Sequence, residues 1–141
     1  MYKTLTALTI LATSVAAEEA IVTQYDGAFE DARFSVENAI VNKGLVIDYV
    51  SRVGEMLNRT GTDVGSDKTL FENAEIFIFC SAVISREVME EDPMNIVHCP
   101  YSIFVAETAD GVMIGHRDFP AGPMDKVEAL LKEIVAEAAE F

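Results

Sequence analysis

Positive charge is scarce in this sequence. Its 10 lysines and arginines stand against 24 aspartates and glutamates, a formal net charge of −14 over 141 residues. Nucleic acid and anionic lipid are bound by clustered basic side chains, and the linear sequence shows no such cluster, so neither is an expected partner. The excess acid reads as a solubility feature. Cysteine is also scarce, with only Cys80 and Cys99, too few for a multiply cross-linked scaffold. There is no glycine-flanked serine elbow and no phosphate-binding glycine loop, which removes two large enzyme classes. Apolar runs fall short of the roughly 20 residues that cross a bilayer, so no stable membrane anchor is expected. Repeats and low-complexity tracts are missing too. The length suits one domain rather than two.

What is present begins with residues 1–17, MYKTLTALTILATSVAA. Lys3 supplies a basic start, an apolar centre follows, and Val15-Ala16-Ala17 puts small residues where signal peptidase needs them. A cleaved signal peptide is therefore expected, with the cut near Ala17 and residues 18–141 forming a single domain in the periplasm or outside the cell. The cut loses only Lys3 among charged residues, so the mature chain is more acidic still.

Along the mature chain, Ala20 to Tyr25 reads as a short strand ended by Asp26-Gly27. Asp26 is a candidate N-cap for a helix to about Lys43, with Phe29, Ala32, Val36, Ala39 and Ile40 as its apolar stripe. Gly44 suits the left-handed position that closes it. Leu45 to Val53 alternates as a strand, with Leu45, Ile47, Tyr49 and Ser51 on one face. A helical turn at Glu55 to Arg59 leads into the loop GTDVGSDK. At the other end, a helix from Met124 presents Val127, Leu130, Leu131, Ile134, Val135 and Ala138 as a buried stripe.

Between these lies the stretch Asn73 to Gly115, with the strongest strand signal. Ile76 to Phe79 is an unbroken β-branched and aromatic run. Ser81 can cap a helix reaching about Glu91, which Asp92-Pro93 stops. A second strand runs from near Cys99 through Ile103 and Val105, and Asp110-Gly111 turns it back. The order is β-α-β-(α)-β-α-β-β-α, an α+β fold with a mostly antiparallel sheet and helices packed on one side.

Several of these residues resemble one family. Gly27-Ala28-Phe29-Glu30-Asp31-Ala32, the Gly44-Leu45-Val46 exit, Phe79-Cys80 with Met89-Glu90-Glu91-Asp92-Pro93, and His98-Cys99-Pro100-Tyr101-Ser102-Ile103-Phe104-Val105-Ala106-Glu107 are together similar to the domain of unknown function 302 family. The chain departs from its pattern at Ser81-Ala82 and His98. The resemblance implies a compact α+β fold, often a dimer, with no established activity.

The chemistry on offer is limited. An even pair of cysteines in an exported protein reads first as a disulfide, so Cys80 and Cys99 are the disulfide candidate. It requires the flanking strands to be antiparallel neighbours; a parallel crossover would separate the sulfurs. A metal site would draw on Cys80, His98 and Cys99. With Asp110-Gly111 as the turn, His116 faces Val105 and lies roughly 20 Å from Cys99, which excludes it. No cofactor is expected. Asp63-Val64-Gly65-Ser66-Asp67 lacks the alternating oxygen ligands of a calcium loop. Asn58-Arg59-Thr60 is a glycosylation acceptor only in a host that performs that chemistry. Met56, Met89 and Met94 read as core filler.

These features imply an exported binding or accessory protein, non-enzymatic and a homodimer candidate, whose partner is a protein or small molecule. The first strand would offer an edge to such a partner. The alternative is a thiol-redox or metal-handling protein working through Cys80 and Cys99.

Overall fold

The computed structural model describes residues 20–140; the signal-peptide expectation for residues 1–17 lies outside them. Five strands form one sheet: β1 (Ala20–Tyr25), β2 (Val46–Ser51), β3 (Asn73–Cys80), β4 (Tyr101–Thr108) and β5 (Gly111–Arg117). Their order across the sheet is β1-β5-β4-β3-β2, and every neighbouring pair is antiparallel. The helices are α1 (Phe29–Asn42), α2 (Val53–Thr60), α3 (Ala82–Glu91) and α4 (Asp125–Ala139), with 3-10 turns at Thr62–Val64 and Pro93–His98. The α+β class, the antiparallel sheet and the element order match the expectation from sequence.

Strand alternation divides the sheet into two faces. On one, Phe77 and Phe79 from β3, Tyr101, Ile103 and Val105 from β4, and Val112 and Ile114 from β5 meet α1 and α4. The apolar stripes read from sequence supply the other half, with Val36 and Ile40 on α1 and Leu131 and Ile134 on α4 fully buried. Asn42 Nδ2 donates to Glu137 Oε1 at 2.9 Å, and Lys43 Nζ to Glu133 Oε2 at 3.1 Å, joining the two helices at the rim.

The strands also place residues on the opposite face, among them Val22, Val46, Tyr49, Ile76, Ile78, Phe104 and Met113. Val46 and Tyr49 are 73% and 64% exposed. Where β4 and β5 pair, a Cβ on Gly115 would run into the Phe104 ring and come 2.7 Å from the Ile21 carbonyl oxygen. Phe104 therefore lies across Gly115, a residue with no side chain to lift it away from the sheet. Beside it is an apolar groove of about 460 Å³ that includes Val22, Val53, Ile76, Phe104 and Met113.

Four local expectations are corrected. Asp26 is not the N-cap of α1: the helix starts at Phe29 after an extended Ala28 with no side-chain cap, which sets Phe29 on the buried stripe. In β2 the register slips between Ile47 and Tyr49. The extra residue, Asp48, puts Ile47 and Tyr49 on opposite faces, where simple alternation would put them on the same one. The β4–β5 turn is Ala109-Asp110, because Thr108 pairs with Gly111; Thr108 Oγ1 accepts from the Asp110 amide at 3.2 Å. His116 accordingly faces Ile103 instead of Val105. Among the methionines read as filler, Met56 and Met94 are exposed, while Met89 packs against the core.

Candidate functional site

β3 and β4 are antiparallel neighbours, the arrangement that brings the two cysteines to one end of the sheet. Cys80 is the last residue of β3. Cys99 follows the Pro93–His98 turn and donates its amide to Ile96 O at 3.1 Å, and its peptide bond to Pro100 is cis. Both thiols are free and half-buried, with their Sγ atoms 3.9 Å apart. Between them the chain forms α3, whose N-cap is Ser81, as its sequence position implied: the hydroxyl accepts from the Ile84 amide at 3.3 Å.

Two residues that sequence reasoning missed complete the surroundings. Ser85, in the first turns of α3, has its Oγ 3.6 Å from Cys99 Sγ and donates to Tyr101 Oη at 3.0 Å. Tyr101 is fully buried. The only available signal was helical spacing, which turns Ser85 to the same side as the Ser81 cap one turn earlier. Burial raises the Cys80 thiol above its ordinary value, and Cys99 and then Asp48 push it further the same way. Burial likewise carries the Tyr101 phenol up to about 12. These surroundings thus favour the proton on the Cys80 sulfur.

His98 does not join the thiols. Its ring packs edge-on against Phe119 with centroids 5.7 Å apart, and its buried Nδ1 makes no hydrogen bond within the described residues. His116 lies on the helix-covered face, fully buried, with Nδ1 2.8 Å from the Arg117 carbonyl oxygen. Among the described residues no three histidine, cysteine or acidic side chains converge to hold a metal ion.

The family model described as domain of unknown function DUF302 matches residues 21–140, nearly the whole described chain. The chain belongs to the DUF302 family. The crystal structure of an uncharacterised conserved DUF302 protein from Bacillus stearothermophilus superposes with a TM-score of 0.61 at 15% identity, covering 86% of this chain and 95% of that one. At that identity the likeness speaks for the fold alone. No curated protein matches the chain.

This DUF302 chain has a second concave region that sequence reading did not find. A polar cleft of about 640 Å³ lies between α1, α2 and the start of β3, lined by Arg33, Arg52, Arg59, Glu55 and Glu75 among others. Arg33 Nε is 2.7 Å from Glu75 Oε2, and Arg52 Nε is 3.8 Å from Glu75 Oε1. The Glu75 carboxylate holds the Arg33 guanidinium above its already high ordinary pKa. Arg33 comes from α1, and Arg52 and Arg59 from the two ends of α2, so no local motif announces the three together. Two of the three are already tied to Glu75, and the cleft reads as a structural ion-pair network.

Proposed function

We propose that this DUF302 chain is an exported, non-enzymatic accessory protein that works by binding, and that its first partner is a second copy of itself on the open face of the sheet. The observation that carries this reading is the composition of that face. A solvated antiparallel sheet normally shows polar residues outward. Here the outward positions include Val22, Val46, Tyr49, Ile76, Ile78, Phe104 and Met113 beside Gln24, Ser51, Ser102, Thr108 and Arg117, and outside the Asp48 bulge none of them is acidic. In a chain with 24 acidic residues, this is the surface on which two copies can approach with least repulsion.

Size supports the same occupant. Five strands spaced about 4.8 Å apart and roughly 20 Å long give on the order of 400 Å² of flat area. Side-chain relief brings that toward the roughly 800 Å² per partner of a standard interface. Two such faces would stack about 10 Å apart, as in a β-sandwich. Among the described residues β1 is an edge strand paired only with β5, and Val22 continues the apolar face to that edge.

Export rests on residues 1–17, and mass spectrometry of the soluble exported fraction tests it. The mature chain should begin near Glu18, and Ala17→Arg should leave a membrane-held precursor, since a long charged side chain cannot enter the peptidase pocket. An intact Met1 on a soluble cytoplasmic product would overturn the location.

A second reading is favoured by the 3.9 Å separation of Cys80 and Cys99, a thiol pair available for redox or metal chemistry. In an oxidising compartment it closes to a disulfide. The raised Cys80 thiol opposes a catalytic dithiol, which needs a depressed one. A 2 Da deficit in the same mass spectrum would report the bond.

A further inference from the structure

We infer that the reduced Cys80–Cys99 pair is a binding site for a soft monovalent metal ion of the Cu(I) type, held by the two sulfurs alone. This rests on the reading of the pair as a thiol site and adds the ligand.

The geometry comes first. Cys80 is fixed by β3 and Cys99 by the Pro93–His98 turn, so the scaffold sets the gap between their sulfurs at 3.9 Å. A two-coordinate d10 ion prefers a near-linear S–metal–S arrangement. At about 2.3 Å from each sulfur it asks the gap to open by less than about 1 Å, which rotation of the two thiol side chains supplies without moving either element. A disulfide bond of about 2.05 Å requires the sulfurs to close by nearly half their separation.

The donor set then selects the ion. No third histidine, cysteine or carboxylate converges on the pair among the described residues. Zinc in a structural site takes four protein ligands, and calcium and magnesium take oxygen cages. Two thiolates without further donors suit a soft d10 monovalent ion. The rim agrees: Val46, paired with Cys80, and Ile96 and Val97, just before Cys99, are exposed apolar side chains. They offer no hard ligand and leave the sulfurs reachable.

Electrostatics makes the ion the natural partner of the pair. Two thiolates this close repel each other, and the same closeness lets one cation sit between both. Binding releases the two S–H protons to solvent and leaves a complex of single negative charge. The Ser85 hydroxyl, 3.6 Å from Cys99 Sγ, can turn its single proton from Tyr101 Oη to that sulfur as it becomes more negative, and then accept from the tyrosine instead.

The test is an anaerobic titration of the reduced full chain with Cu(I) held by the colorimetric chelator bicinchoninate. One copper per chain should leave the chelator, and both thiols should become protected from alkylation, as counted by mass spectrometry. Cys80→Ser and Cys99→Ser should each leave the copper on the chelator at concentrations where the parent removes it, with circular dichroism confirming that each is folded. Zn(II) should stay with its indicator. Copper left on the chelator by the parent chain, or retained by both serine variants, would overturn the inference. Thiols that oxidise reversibly but take no copper leave the thiol reading standing without the metal; thiols inert to both end the two together.

Discussion

The two faces of the sheet are made by the same strands, yet they solve different problems. On the covered face, Phe77 and Phe79 are sealed under α1 and α4. On the other, Ile76 and Ile78 from the same strand are only partly buried, and Val46 and Tyr49 on β2 lie open. Both faces carry apolar residues, but α1 and α4 cover one of them across its middle, while α2 reaches the other only at the Ala74 end of β3. Burial, not composition, therefore separates residues that hold this fold together from those that remain available to something else.

Substitutions can break that comparison, and the largest effect belongs to the covered face. Phe77→Ala should cost about 3–5 kcal/mol, as large-to-small changes at sealed aromatic positions do. Tyr49→Lys, on the open face, should stay within about 0.5 kcal/mol. Urea denaturation of the two variants reads the contrast, and equal losses would erase it.

Gly115 is the position where the open face should behave like the core. An added Cβ meets the Phe104 ring and the Ile21 carbonyl oxygen, so Gly115→Ala should cost about 1–3 kcal/mol by overpacking. The same denaturation experiment reads it; a neutral result would mean the β1–β5 pairing yields easily.

Next comes Tyr101, buried on the covered face. Its phenol titrates at about 12 when folded, against an ordinary 10.0. Between those values the folded chain keeps a proton that the unfolded chain has lost, so stability falls as pH rises through that window. Tyr101→Phe should flatten the alkaline loss in thermal melts from pH 9 upward, while costing about 1 kcal/mol for the lost Ser85 hydrogen bond. An unchanged alkaline slope would contradict the assignment.

The smallest effect lies at the rim. Lys132, followed by the Phe119 amide, holds the Glu128 carboxyl below its ordinary 4.5. That stability is present above 4.5 and is lost as pH falls through the lower folded value. Glu128→Gln should remove this part of the acid sensitivity in melts between pH 5 and pH 2, and an identical acid profile would discount the contact.

The covered face was the more legible in the sequence because its signals are periodic. The α4 stripe, the Ser81 cap and Gly44, whose φ is +73°, follow from local chemistry that the rest of the chain does not override. What the sequence hid depends on pairing. The Asp48 bulge exists only relative to β3, and the shift of the β4–β5 turn to Ala109-Asp110 exists only in the register of two strands. At the thiol pair, Cys80 and Cys99 were visible as a pair, while Ser85 and Tyr101 were not, since nothing in the linear order brings a helix hydroxyl onto a strand phenol. The arginine cleft was hidden for the same reason.

Light scattering on the purified full chain, across concentration and salt, tests most directly whether the open face binds a second copy. The expected result is twice the chain mass, strengthened by added salt as it screens two acidic copies. Tyr49→Lys should then return the single-chain mass with an unchanged circular dichroism spectrum. A parent chain that stays monomeric throughout, or a Tyr49→Lys variant that still doubles, would contradict the account.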